Sequence, residues 1–260
     1  MKSKIILGLD IGGSGIKGAL VDVSTGKAVS DRERIETPQP ATPKAVANTV
    51  DLLIQKIGYD GNIVGCGFPA IIKNGVAKSA SNIEKSWIGE NVEKLLKKKT
   101  GKDIFVLNDA DAAGVAEMNC GRLKGTKGVS ILLTLGTGIG SALFVDEQLV
   151  PNTEFGHLYL KDHKRIVEKY ASNHARKRKE LSYKEWIARI NEKLHHLNTI
   201  FSPSLVVLGG GVSKKFSDFE QYLDDFEFDV KPAKLLNHAG LIGAAMYGLQ
   251  RSQTLINQDA

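Results

Sequence analysis

Two similar glycine-rich segments of eight residues occur in this chain of 260 residues, and each follows an apolar segment. Gly13–Leu20 aligns without gaps on Gly136–Leu143, with five of the eight positions identical. The preceding segments, 4–10 and 129–135, have the length and composition of buried strands. A duplicated lobe built around a glycine-rich hairpin explains this repeat. Chance similarity between two glycine-rich turns is the alternative.

Strand-like and helical segments alternate along the chain, which favours an α/β fold with mostly parallel sheets. Buried strands are predicted at 63–68, 104–107 and 205–208. Helices are predicted at 42–57, where Thr42 has the side chain of an N-cap, and at 89–99. Because the chain exceeds the usual size of one core, we expect two lobes with a cleft between them.

The composition argues against a membrane protein and against a disulfide framework. Hydrophobic residues make up 42% of the chain and charged residues 25%, as in ordinary globular proteins. The first residues lack the apolar core of a secretory signal. Cys66 and Cys120, the two cysteines, are expected to be buried free thiols. We therefore expect a cytoplasmic protein.

Positive charge is concentrated in one segment. The chain has a net charge of +6, and Lys161–Glu180 contains eight Lys or Arg against three Asp or Glu. A positive surface beside a site attracts anions such as nucleotides, polyphosphate or nucleic acid. A solvated helix face is the alternative interpretation.

The glycine-rich repeats are the first candidate site. Gly13–Gly18 fits the pattern G-x-G-x-x-G, but the residues after it are strand-like, whereas a dinucleotide fingerprint opens a helix. No Walker A sequence is present. Hairpins of this kind instead offer unobstructed backbone N–H groups to phosphate oxygens. Asp10 could hold Mg²⁺ through water, and Lys17 could contact a phosphate. A tight turn that needs glycine is the alternative.

Asn108 and Asp109 follow a predicted strand and precede a helical segment. The carboxyl ends of parallel strands are where open α/β sheets place their sites. A carboxylate there could accept a hydroxyl proton during phosphoryl transfer. The alternative is that Asp109 or Asp111 caps the helix, which leaves the other acid available for chemistry.

Glu154 and His157 lie three residues apart around Gly156. Both side chains could contact one ligand, and sugar hydroxyls need such a mixture of acceptors and donors. A structural role for His157 is the alternative.

Taken together, the motifs carry a resemblance. The chain is similar to the ROK sugar kinases, and among them to the glucokinases that use polyphosphate. The resemblance covers roughly residues 4 to 250. The motifs that carry it are 10–18 (DIGGSGIKG), Asn82-Ile83 with Trp87, Asn108-Asp109, 136–140 (GTGIG), 154–157 (EFGH) and 168–172 (EKYAS).

This resemblance implies roles for single residues. Asp109 would be the catalytic base. The residues expected to bind the sugar hydroxyls are Asn82, Asn108, Glu154, His157 and Glu168. The residues expected to bind the phosphoryl donor are Asp10, Gly12, Gly13, Ser14, Gly15, Lys17, Thr137, Gly138, Gly210 and Gly211.

The chain departs from typical ROK members in one respect. Those members follow the E-x-G-H motif with a cysteine cluster that binds structural zinc, and Leu158–Val167 contains no cysteine. We therefore expect no structural zinc. The polyphosphate-using members share this pattern, and a polyanionic donor would benefit from the cations Lys164, Arg165, Lys169, Arg176, Lys177, Arg178 and Lys179.

The resemblance implies the two-lobed actin-like ATPase (ribonuclease H-like) fold, which is α/β with an interdomain active-site cleft. We expect one lobe at 1–109, completed by the helix 240–252. The other lobe is expected at 110–239, with a basic helical insertion at about 161–200.

The expected activity is phosphorylation of glucose with Mg²⁺, from inorganic polyphosphate and also ATP. A homodimer is expected, with neither membrane nor specific nucleic acid as a partner. The alternatives are an ATP-dependent kinase of another hexose or N-acetyl sugar, and a sugar-sensing transcriptional regulator. Such regulators carry a DNA-binding domain before the kinase-like part, and here the first hairpin begins within ten residues of Met1.

Overall fold

Two units make up the fold in the computed structural model, which describes residues 4–80 and 83–258. The first unit contains the chain up to Cys120 together with the residues from His238 onward, and the second is Gly121–Asn237. The second unit is thus an insertion, in chain order, into the first. The limits expected from the sequence, 1–109 and 110–239, stay a prediction.

The strands and helices are numbered along the chain. The strands are β1 (Ile5–Ile11), β2 (Ile16–Asp22), β3 (Lys27–Ala28), β4 (Glu33–Ile35), β5 (Ile63–Phe68), β6 (Ile72–Lys73), β7 (Val76–Ala77), β8 (Asp103–Asn108), β9 (Val129–Leu135), β10 (Ile139–Val145), β11 (Gln148–Val150), β12 (Leu205–Gly209) and β13 (Asp229–Pro232). The helices are α1 (Pro43–Ile57), α2 (Val92–Thr100), α3 (Asp109–Cys120), α4 (Val167–Ala171), α5 (Asn173–Arg178), α6 (Tyr183–Phe201) and α7 (Ala239–Gln258).

The main sheet of the first unit has the strand order β3-β2-β1-β5-β8, and β4 also pairs with β2. β1 is antiparallel to β2 and parallel to β5, which is parallel to β8. The carboxyl ends of β1, β5 and β8 therefore lie at one edge. This pairing brings the end of β8, with Asn108, to the same edge as Asp10 at the end of β1.

The second unit repeats this topology. Its sheet has the order β11-β10-β9-β12-β13, with β9 antiparallel to β10 and parallel to β12. The two eight-residue copies both span the turn between an antiparallel pair, β1–β2 in one unit and β9–β10 in the other. The matching order and sense of pairing support duplication over chance similarity.

Glycine lets α7 approach the first sheet and a neighbouring helix. A Cβ at Gly65 of β5 would collide with the Ala244 carbonyl, and one at Gly243 would collide with the Ala112 carbonyl of α3. Buried apolar side chains of α7, such as Leu241 and Ala245, complete this packing. The carboxyl-terminal helix is thus part of the first unit's core.

The second unit packs α6 against its sheet. Ser182 caps α6 and forms a capping box with Glu185, which satisfies N–H groups at the helix start. Trp186 and Leu194, among other apolar side chains of α6, are fully buried. Within the described residues, no helix is long and apolar enough to cross a membrane.

Candidate active site

The hairpin of the first unit ends in an ion pair. Asp10 and Lys17 are cross-strand partners in β1 and β2, and Lys17 Nζ lies 2.9 Å from Asp10 Oδ2. Gly12 donates its N–H to the Gly15 carbonyl at 3.1 Å, which closes the turn. The two charges therefore stand at the base of the glycine-rich turn, and both side chains are partly exposed.

Two further side chains hold this turn by its carbonyl groups. Arg34 Nη2 donates to the Ser14 carbonyl at 2.7 Å, and Thr37 Oγ1 donates to the Gly12 carbonyl at 2.5 Å. The N–H groups of Gly13, Ser14 and Gly15 donate no hydrogen bond to any described residue. The turn is thus held through its carbonyl groups, and these three N–H groups can donate to an anion.

Asn108 ends β8, and its amide is engaged on both sides. Its Oδ1 accepts hydrogen bonds from the N–H groups of Ala110 at 2.9 Å and Asp111 at 3.2 Å. Its Nδ2 donates to the Ala70 carbonyl at 3.2 Å, and the residue is buried. Asn108 therefore caps α3, a role that the sequence analysis weighed for the aspartates.

Asp109 is the first residue of α3 and is exposed between two buried neighbours. Its Oδ1 accepts the Ala110 N–H at 2.8 Å, which fixes the carboxylate. A Cβ on Gly67 would lie 3.7 Å from the Asp109 Cα, so the glycine at the end of β5 leaves space beside the acid. Asn108 caps the helix, so the capping role does not fall to the exposed carboxylate of Asp109.

The motif around Glu154 and His157 is a single 3-10 turn of the second unit. His157 Nδ1 lies 3.4 Å from Glu154 Oε2. A Cβ at Gly156 would collide with the Ile139 carbonyl, so only glycine allows the turn to lie against β10. The pKa of Glu154 is raised by burial and by the Glu168 charge, while His157 opposes this shift.

Glu168, in α4, contacts the second glycine-rich turn. Its Oε2 accepts the Ile139 N–H at 3.2 Å, and a Cβ at Gly138 would collide with the same carboxylate. Gly136 closes this turn by donating to the Gly138 carbonyl at 2.9 Å. The structure therefore brings together Gly138, Glu154 and Glu168, which the sequence analysis assigned to two different ligands.

The third glycine cluster packs beside the same turn. Gly210 follows β12 with φ of +82°, and a Cβ there would lie 2.8 Å from the carbonyl oxygen of Leu135, the last residue of β9. Ser213 donates its Oγ to the Gly210 carbonyl at 2.8 Å. Gly210 thus packs against Leu135, the strand end that leads into the second glycine-rich turn.

Lys193 is a residue that the sequence analysis missed. It lies on α6, is fully buried, and donates from Nζ to the Phe155 carbonyl at 2.9 Å. Burial lowers its pKa to about 7, although the Glu168 charge acts in the opposite direction. The available signal was its spacing from Ile190 and Leu197, which places a lysine on the apolar face of α6.

Five cations of the basic segment divide into two groups, and the other three, Lys161, Lys177 and Arg178, are exposed without lining the cavity described below. The Arg176 guanidinium lies over the rings of Tyr183 and Trp186, at 4.8 and 5.7 Å, and its Nε donates to Asn173 Oδ1. Other side chains of the segment line a cavity of about 240 Å³: Asp162, His163, Lys164, Arg165, Lys169, Tyr170 and Lys179. Arg176 is therefore a packing residue, whereas four lysine and arginine side chains share one concave surface.

The described residues contain no cluster of three His, Cys, Asp or Glu side chains that could hold a metal ion. The partly exposed carboxylate of Asp10, paired with Lys17, stands at the base of the first turn. One carboxylate suits Mg²⁺, which keeps several waters and is usually held by phosphate oxygens. The remaining predicted ligand, Asn82, lies outside the described residues.

Comparison with known proteins extends these observations. The model of the ROK family matches residues 6–180. The polyphosphate glucokinase of Mycobacterium tuberculosis (strain CDC 1551 / Oshkosh) is 40% identical over 240 residues, which are 92% of this chain and 89% of that protein.

Two solved structures superpose along most of the chain. An inorganic polyphosphate/ATP-glucomannokinase from Arthrobacter sp. strain KM has a TM-score of 0.89 and 42% identity, over 95% of this chain and 99% of that one. A ROK family glucokinase from Streptomyces griseus, solved with glucose and AMPPNP, has a TM-score of 0.78 and 24% identity, over 95% and 100% of the two chains. The second likeness concerns the fold alone.

Proposed function

This chain belongs to the ROK family and has the two-domain actin-like ATPase fold of its sugar kinases, and on that basis we propose that it is a glucokinase using inorganic polyphosphate or ATP. The phosphoryl group passes to the 6-hydroxyl of glucose. The observation that carries this proposal is the 40% identity to polyphosphate glucokinases over nearly the whole chain. The expected family and fold class are thereby confirmed.

Asp109 acts as the general base in this proposal. Its carboxylate accepts the proton of the sugar hydroxyl while the oxygen attacks the terminal phosphorus of the donor. The bond between that phosphorus and the bridging oxygen breaks, and ADP or a shortened polyphosphate leaves. Its exposure at the start of α3 and the fixed position of its carboxylate support this role.

Glu154, His157 and Glu168 bind the sugar hydroxyls. Two carboxylates accept hydrogen bonds and the imidazole can donate or accept, which suits a ligand whose hydroxyls do both. Asn108 contributes by fixing the start of α3, because the hydrogen bonds of its amide to the backbone leave it little freedom. Asn82 is assigned to the same sugar on the resemblance alone.

The donor phosphates bind to the glycine-rich turns. The N–H groups of Gly13, Ser14 and Gly15 are available in the first turn, and Lys17 supplies a charge beside them. Thr137, Gly138, Gly210 and Gly211 supply the second group of contacts. Bound Mg²⁺ would neutralise charge on the transferred phosphoryl group, and Asp10 would hold it through water. Mg²⁺ dependence and the absence of zinc stay predictions.

A coupled assay for glucose 6-phosphate, with polyphosphate and ATP as separate donors, tests this function. Product from either donor is the expected result. A correctly folded protein that makes none would overturn the proposal, and binding of glucose without turnover would favour the sugar-sensing regulator.

A second sugar deserves the same assay. The solved relative with 42% identity is named a glucomannokinase, which favours mannose as a further acceptor. A kcat/KM for mannose within about tenfold of that for glucose would extend the acceptor range. The homodimer and the cytoplasmic location stay predictions, to be tested by light scattering and by fractionation.

A further inference from the structure

Hydrogen bonds hold the side chains that form the floor of the basic cavity in the second unit. Tyr170 donates its hydroxyl to Glu192 Oε1 at 2.7 Å, and His163 Nε2 lies 3.0 Å from Glu192 Oε2. Arg189 donates to the Tyr170 carbonyl at 2.9 Å and lies over the Tyr170 ring. Burial and Glu192 raise the pKa of Tyr170 to about 12, so the phenol stays a donor.

Charge on the rim of this cavity is nearly of one sign. Lys164, Arg165, Lys169 and Lys179 are exposed there, and Asp162 is the acid that lines the cavity with them. Two further carboxylates adjoin it and are already engaged: Glu192 by Tyr170 and His163, and Glu168 by Lys169. Like charges gathered around a concave surface raise the local concentration of anions. The cavity also borders the site, since Lys169 Nζ lies 3.3 Å from Glu168, the carboxylate on the second glycine-rich turn.

We propose that this cavity is a second phosphate-binding site, which holds units of a polyphosphate chain beyond the one transferred. This inference rests on the proposed function and names the donor residues that the basic segment supplies. A nucleic acid is a poorer fit, because stacking of bases needs an open aromatic face. The Tyr170 ring is already covered by Arg189 and by His163 at 4.3 Å.

The test is the triple variant Lys164→Gln, Arg165→Gln and Lys179→Gln. Lys169 is left intact because it pairs with Glu168. A matched control removes three exposed cations from the first unit: Lys27→Gln, Lys44→Gln and Lys94→Gln. Each variant is compared with the parent for long-chain polyphosphate, tripolyphosphate and ATP over a range of salt concentrations.

The triple variant should raise KM for long-chain polyphosphate roughly tenfold at low salt, since each exposed ion contact contributes little alone. Its salt dependence should flatten, while KM for ATP and for glucose changes less than about twofold. The control should resemble the parent. Unchanged use of long polyphosphate, or an equal loss with ATP, overturns the proposal.

Calorimetric titration with polyphosphate, without glucose, separates this proposal from the proposed function. If the parent binds polyphosphate through these residues but makes no glucose 6-phosphate, the proposed cavity site stands and the proposed glucokinase function is overturned. Binding of a single-stranded RNA that the triple variant loses, without binding of polyphosphate, also overturns the site.

Buried Lys193 carries a second, independent inference. Burying an ammonium group is costly, and a fully apolar residue would fill the same position on α6 without that cost. The carbonyl that Lys193 contacts belongs to Phe155, in the middle of the Glu154–His157 turn. The lysine thus holds the turn that carries two of the proposed sugar ligands.

We infer that Lys193 is a positioning residue for glucose, acting through the Phe155 carbonyl on Glu154 and His157. Lys193→Met keeps the length of the side chain and removes the donor. Glucose KM should rise roughly tenfold, the scale of losing one buried hydrogen bond, and KM for the phosphoryl donor should stay near that of the parent.

A purely structural role for Lys193 would give a different result. The variant would then lower the folded fraction and the apparent kcat, with glucose KM unchanged. Lys193→Arg is the second variant, because it keeps a charged donor; recovery of glucose KM toward the parent value supports the inference. Unchanged glucose KM in folded Lys193→Met, measured by circular dichroism and activity together, overturns it.

Discussion

The backbone N–H of Ile139 donates to the carboxylate of Glu168 at 3.2 Å. This hydrogen bond joins the first residue of β10 to a side chain that the family resemblance assigns to the sugar. A proposed sugar ligand and a proposed phosphate-binding turn therefore share one contact. A change at either partner is expected to affect the binding of both substrates.

Asp109→Asn should preserve the fold and glucose binding while lowering kcat by about 10²-fold or more, since base catalysis typically contributes 10²–10⁴. Asparagine can still accept the Ala110 N–H that now bonds the carboxylate. Stopped assays of glucose 6-phosphate and calorimetry with glucose measure the two effects. Asp60→Asn, at another exposed acid, is the control. Near-normal turnover would remove Asp109 from the mechanism.

Gly138→Ala should lower kcat/KM for glucose and for the donor by roughly tenfold or more, the usual scale for losing a hydrogen bond to a charged group. Its Cβ would displace the Glu168 carboxylate from Ile139. Gly136→Ala is the matched control, because a Cβ there meets nothing within 4 Å. Steady-state kinetics of both variants decide the matter, and equal behaviour of the two would contradict the prediction.

Glucose capture should weaken as pH falls, at a higher pH than for an ordinary carboxyl group. The pKa of Glu154 is raised by its burial, so this group takes up a proton early and then no longer accepts hydrogen bonds as a carboxylate. The pH profile of kcat/KM for glucose measures this limb. Glu154→Gln should abolish the limb along with much of the affinity. A profile that keeps the same limb in the variant would assign it to another group.

Elemental analysis of the purified protein should find no stoichiometric zinc, because the cysteines of the typical zinc cluster are absent after His157. Activity should disappear on chelation and return with Mg²⁺, which suits phosphate oxygens and a single carboxylate. One tightly bound zinc per chain would show that other ligands replace the cysteines.

Local signals in the sequence were sufficient for much of the fold. Helix α1 begins after Thr42, whose hydroxyl accepts the Ala45 N–H, and ends before Gly58, which has φ of +70°. The next helix was predicted from Gly89 and begins at Val92. Gly89 has φ of +90°, which no helix permits, and Asn91 supplies the cap. A boundary of this kind depends on which of several polar residues the backbone uses.

The candidate site was harder to predict because two of its features depend on packing. A capping role for Asn108, where an aspartate was expected, requires the burial of its amide against Ala70. Stacking of Arg176 on Tyr183 and Trp186 depends on α5 and α6 meeting, and it removes one cation from the expected donor surface. The sequence shows how many cations the segment carries, but only the side-chain contacts show which of them can bind a ligand.

The packing of α7 against Gly65 has a consequence for co-translational folding. Every residue of the second unit is made before Ala239, whereas the first unit lacks one layer of its core until α7 emerges. At ~5–20 residues per second, the delay from Cys120 to Gln258 is roughly 7 to 30 seconds. During synthesis the inserted unit can therefore complete its core first. The sheet of the first unit, although made earlier, exposes its glycine-lined face to chaperones until α7 packs on it.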